Sequence, residues 1–239
     1  MTVRLNTASG SGSVAIAAPN STAGDAARTI TLPDDSGSGT ILTTSYPSSR
    51  CILEQFQIPL VNYGSGDNLA PKVATSKGEI TLTAVTAKQD LTTSFVDITG
   101  STIAYEPPTG RKFDIYKFYF ARSRADDDAT NTGYYKFYID SDEVTKGRMT
   151  SMGEDLHQMI TYEWTIGIGD QGLSGGVDRA LASSGAVSSW SGNKTLKLQG
   201  KHHTNLHVKL HCADYWDGSN LAEGSEQLIA PQIGITAIG

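Results

Sequence analysis

The sequence predicts an all-β protein, an antiparallel jelly-roll-like β-sandwich preceded by an extended, β-rich N-terminal arm. Three observations carry this. From Gly78 onward, period-2 alternation with β-branched and aromatic enrichment recurs in about eight short runs separated by turn signals. The composition suits turns: 25 glycines in 239 residues, with charged residues at only 18%. A single stretch, Ser151 to Gln158, reads as helical, and it is short. Strands without alternating helices pack as two facing sheets, with an immunoglobulin-like sandwich as the runner-up.

Taken in order, residues 1–45 form one unit rich in Ala, Gly, Ser and Thr, with no aromatic residue before Tyr46. Residues 46–77 carry Pro47, Pro59 and Pro71 and the turn-prone stretch Asn62 to Asn68, and read as a linker or strap. Its Ile52, Leu53, Phe56, Ile58, Leu60 and Val61 argue that it packs on something. Residues 78–239 make the head domain. Its strands are expected at Glu79 to Val85, Ser94 to Ile98, Lys112 to Arg122, Tyr134 to Asp140, Met159 to Ile168, Lys194 to Gly200, Asn205 to Cys212 and Ile229 to Ile238. Pro107-Pro108-Thr109-Gly110, Asn131-Thr132-Gly133 and Ser191-Gly192-Asn193 mark turns between them.

The strand at Lys112 to Arg122 has large groups on both faces, Phe113, Ile115 and Tyr119 on one and Tyr116, Phe118 and Phe120 on the other. A strand of a lone sandwich normally shows one polar face. Tyr134 and Tyr138 likewise alternate with Tyr135, Phe137 and Ile139. The expectation is that Tyr116, Phe118, Phe120, Tyr134 and Tyr138 form an outer face that packs against other copies in a closed homotrimer.

Charge and motifs exclude several classes. With 19 Lys and Arg against 25 Asp and Glu, the net charge is -6, so no positive field draws in nucleic acid. No apolar stretch reaches the roughly 20 residues that span a bilayer, and the start of the chain does not read as a signal peptide, so the expected site of synthesis is the cytoplasm. Cys51 and Cys212 match no metal or redox spacing and read as free thiols.

His203, His207 and His211 would share a metal-binding face on a helix. The alternation Leu206, Val208, Leu210, Cys212 makes the segment a strand, where His207 and His211 stand about 13 Å apart. His207, Lys209 and His211 are then its polar face, and no metal or other cofactor is expected. Asp126-Asp127-Asp128 and Asp140-Ser141-Asp142-Glu143 read as solvated turns; the second fails the calcium-loop pattern because Val144 occupies a ligand position. Glu154 and Asp155 are a carboxylate pair without a testable separation. No nucleophile elbow, phosphate loop or catalytic triad is legible, so no catalytic residue is assigned. Trp164 falls in an apolar strand pattern and reads as core, whereas Trp190 and Trp216 lie near loops and are candidates for stacking on a sugar.

Residues 12–44 carry Gly12-Ser13-Val14-Ala15-Ile16, Ala18-Pro19, Arg28-Thr29-Ile30-Thr31-Leu32-Pro33-Asp34 and Gly39-Thr40-Ile41-Leu42-Thr43-Thr44. This stretch resembles a short module of fibre and other structural proteins of tailed bacteriophages, notably marine and cyanobacterial ones. Ser36-Gly37-Ser38 lengthens its turn relative to that pattern. The resemblance implies a virion protein, assembled in the host cytoplasm: a homotrimeric short fibre, or an appendage or decoration of the capsid, working in assembly and host attachment. Segments this small do not repay a backbone ordering cost of about 1 to 2 kcal/mol per residue alone. Val14, Ile16, Ile30, Leu32 and Ile41 are therefore expected to be buried between copies, or on another virion protein beneath the arm. The alternative is a carbohydrate-binding module reading a host glycan; an enzyme ranks last, since no repeat of the tailspike kind is present.

Overall fold

The computed structural model describes residues 2–6, 13–17, 51–63, 69–124, 131–153, 157–171, 180–203, 208–214 and 226–239. The chain divides into two compact units, Met1–Ser49 and Arg50–Gly239. In the first, β1 (Thr2–Asn6) and β2 (Ser13–Ala17) pair antiparallel, Val3 opposite Ile16 and Leu5 opposite Val14. The expected run of Val14 and Ile16 is thus a strand, while Ile30, Leu32 and Ile41 lie outside the described residues.

The second unit opens with β3 (Ile52–Pro59), the hairpin β4 (Lys72–Thr75) and β5 (Gly78–Thr81), and the short β6 (Gln89–Asp90), β7 (Val96–Asp97) and β8 (Ile103–Tyr105). The long β9 (Phe113–Arg124) and β10 (Asn131–Ile139) follow, then β11 (Asp142–Glu143), β12 (Met149–Gly153) and β13 (His157–Gly167). The last are β14 (Lys194–His202), β15 (Val208–Leu210), β16 (Cys212–Asp214), β17 (Glu226–Leu228) and β18 (Gln232–Ile238). Among the described residues there is no α-helix, only 3-10 turns at Thr145–Gly147 and Ala182–Ser184. No helix among the described residues is long and apolar enough to cross a membrane.

Two six-stranded antiparallel sheets form the sandwich. In one, β9 pairs with β13 along one side, and with β18 and then β15 along the other; β3 lies outside β18 and β6 outside β15. In the other, β10 is flanked by β11 and β12 on one side and by β14 on the other, with β7 and β8 beyond β14. The two sheets face each other across an aromatic core. Tyr116 stacks at 4.9 Å on Phe137, and Phe120 meets Tyr135 edge-on at 5.4 Å. Each buried tyrosine has a partner for its hydroxyl: Tyr116 donates to Ser101 O, Tyr162 to Gly147 O, and Tyr135 accepts from Ser151 Oγ.

This core corrects the face expected for oligomerisation. Tyr116, Phe118 and Phe120 have no solvent exposure within the single chain, because they point at the opposite sheet. The half-buried groups Phe113, Ile115, Lys117 and Tyr119 point outward instead. Tyr134 and Tyr138 do lie on the outer, half-buried face of β10.

Three further readings change. The expected strap is part of the sandwich, since β3 pairs along β18 and sends Phe56 and Ile58 against the core. Ser151 to Gln158 is not helical in its described part; Ser151 pairs with Gly133 in β12, and His157 opens β13. Asn205 to Cys212 is no continuous strand. His211 breaks it at φ 63, separating β15 from β16 and burying Leu210, His211 and Cys212 in succession.

Candidate functional site

Outward-pointing residues of β10 and β14 alternate strictly with core residues, so Tyr134, Lys136 and Tyr138 share a face with Lys197, Gln199 and Lys201. Register sets Tyr134 opposite Lys201 on β14 and opposite Thr150 on β12. The chain before β7 lays Phe95 over the same face. The result is a groove of about 570 Å³ lined chiefly by Phe95, Tyr134, Lys136, Arg148, Lys201 and His203, with Thr93 and Thr150 beside them.

Cations sit over its rings. The Lys136 ammonium is 4.4 Å from the Phe95 ring centre, and Lys201 lies 5.1 Å from Phe95 and 5.5 Å from Tyr134. Glu143 serves two of the three cations, accepting from Arg148 Nε at 2.5 Å and from Lys136 Nζ at 2.9 Å. Arg148 above all, then Lys136, hold its carboxyl below the usual range against the cost of partial burial. Lys201 has no carboxylate partner among the described residues, so the groove's described lining carries an excess of positive charge.

The acidic turn beside it is structural. Asp140 adopts φ 55 in the tight turn between β10 and β11. Its carboxylate accepts the Thr195 N–H and the Lys194 ammonium, both at 2.8 Å. Desolvation opposes ionisation there, and these two partners outweigh it and hold the group low. Among the described residues no cluster of three or more His, Cys, Asp or Glu forms a metal site. Asp126 to Asp128, Glu154, Asp155 and His207 lie outside the described residues.

Trp190 is not a sugar platform. It is 3% exposed, its indole N–H donates to Tyr105 O at 3.1 Å, and its ring meets Tyr105 edge-on at 6.2 Å. Trp216 lies outside the described residues. Trp164 is partly buried against the core as expected, its N–H bonded to Ser184 O.

Around Trp190 lies a buried polar cluster that the sequence did not signal. Arg111 donates to Trp190 O, and Tyr105 donates its hydroxyl to Glu54 Oε1 at 2.8 Å. Asp114 points inward next to them with no exposure and no hydrogen bond to either carboxyl oxygen. Burial pushes its pKa up to about 7; Arg111 opposes this and Glu54 adds to it. His211 is another buried titratable group, its ring edge-on to Phe118 and Phe120. Burial lowers it to about 4, with the Thr99 backbone opposing. Asp114 and Tyr105 are sealed from solvent, while Arg111 and Glu54 are partly exposed. Cys51 and Cys212 form no disulfide, and the second is fully buried.

The groove residues missed in the sequence had a signal: aromatic and lysine residues alternating on one face of two strands. What no local pattern carried was that Phe95 folds over them. No protein-family model and no curated protein matches the chain.

Proposed function

We propose that the chain is a structural protein of a tailed-phage virion, in which the N-terminal unit anchors and trimerises and a jelly-roll-like head projects from the particle. The observation that carries this reading is the division at Ser49 and Arg50. A small unit poor in large apolar groups, whose sequence resembles the phage-fibre module, is joined to a β-sandwich with its own aromatic core. The first suits attachment to a neighbouring protein, the second display. Mass spectrometry of purified particles from the genome that encodes the chain tests it. The protein is expected as a stoichiometric particle component, and its absence from particles would contradict the reading.

A second reading, a carbohydrate-binding module, is favoured by the groove. Half-buried aromatic rings beside hydroxyl and charged groups on an outer sheet face are what a saccharide needs, apolar ring faces to stack on and polar groups to orient it. The two readings combine in a head that holds the host surface.

A further inference from the structure

We propose that the groove over β10, β12 and β14 binds an acidic saccharide, with Lys201 holding its anionic group and Tyr134 and Phe95 stacking on its rings. This rests on the carbohydrate-binding reading above.

The charge distribution selects an anion. Lys136, Arg148 and Lys201 converge on one spot, and among the described residues Glu143 is the carboxylate that faces them, already shared by Lys136 and Arg148. Among the described residues, Lys201 is held only over the rings of Phe95 and Tyr134. An ammonium at a ring face keeps donors directed away from the ring, and a carboxylate reaching it forms a charge-assisted hydrogen bond with no internal ion pair to break. Its neighbour on the same face, Lys197, differs: it is closed by Asp97 at 2.9 Å.

The geometry selects a saccharide over a nucleic-acid strand. Single strands are bound along a track of cations that follows a phosphate at every nucleotide. Here the cations gather at one point, on a chain whose net charge is -6. One local anion with flanking hydroxyl partners, Thr93 and Thr150, fits a sugar acid. A groove of about 570 Å³ lies within the usual range of small-ligand sites.

The test is calorimetric titration of the full-length protein with trigalacturonic acid, sialyllactose and maltotriose, alongside single-stranded oligo(dT). At least one acidic saccharide is expected to bind, with affinity falling as salt rises and maltotriose far weaker. Lys201→Gln and Tyr134→Ala should each weaken binding roughly tenfold or more, and Lys201→Arg should retain most of it. Lys197→Gln, outside the groove, should leave it unchanged. Thermal melting establishes that each variant is folded. Equal binding of maltotriose, indifferent to Lys201→Gln, would overturn the acidic-ligand assignment while leaving the carbohydrate reading intact. No binding of any of the three saccharides would overturn both, and oligo(dT) binding lost in Lys201→Gln would replace the saccharide with nucleic acid.

Discussion

Asp114 and His211 are both buried, and they make folding respond to pH in opposite directions. Asp114 titrates at about 7 in the folded protein against an ordinary 3.8, so the folded state keeps a proton that the unfolded chain has released. Its contribution to stability is full below about pH 4 and is lost as pH rises to about 7. His211 is lowered to about 4 from 6.5, so the unfolded chain takes up a proton that the folded one refuses. Its contribution is full above about pH 6.5 and is lost as pH falls toward 4. The two slopes largely offset each other, and stability should vary little between pH 4 and 7. Asp114→Asn removes one of them. Its unfolding free energy, from urea titrations across this range, should rise with pH by on the order of 2 to 3 kcal/mol. His211→Asn, which suits the positive φ, should show the reverse slope. Profiles parallel to the unmodified protein would contradict both assignments. Neither burial was legible from sequence: His211 sat at an apparent polar position of a strand, and only the break at φ 63 turns it inward.

The edge strand β3 depends on a close approach at Gly234. A Cβ there would stand 2.8 Å from Phe56 O and 3.3 Å from Gln57 Cβ. Gly234→Ala should therefore push β3 away from β18 at a cost of about 1 to 3 kcal/mol. Hydrogen exchange should accelerate at residues 54–58 while the centre of β9 stays protected; unchanged exchange at β3 would contradict this. The strand shows why some elements were legible and others were not. β9, β10, β13 and β14 are long, and their alternation alone placed them within about three residues. In β3 the alternation Glu54, Phe56, Ile58 was also present, but its partner β18 lies far along the chain, with Gln57 bonded to Gln232 across 175 residues. A run flanked by prolines with no local partner reads as a strap. Ser151 to Gln158 failed for the related reason that pairing with β10 and β9 overrides the local preference.

For the whole molecule, the all-β sandwich followed from composition and period, but which aromatic face is inside did not. Both faces of β9 are large, and sequence cannot tell which meets the other sheet. The structure turns Tyr116, Phe118 and Phe120 inward, which removes three of the five residues expected at a threefold contact of the head, while Tyr134 and Tyr138 stay on the outer face. On the proposed reading Tyr134 serves the groove, and assembly is assigned to the N-terminal unit. That division of labour is tested most directly by light scattering on the full chain and on a version beginning at Arg50, at micromolar concentration. Assembly through the arm predicts a trimer for the full chain and a folded monomer for the shorter one. A full chain that stays monomeric, or a shorter chain that is trimeric by itself, would contradict it.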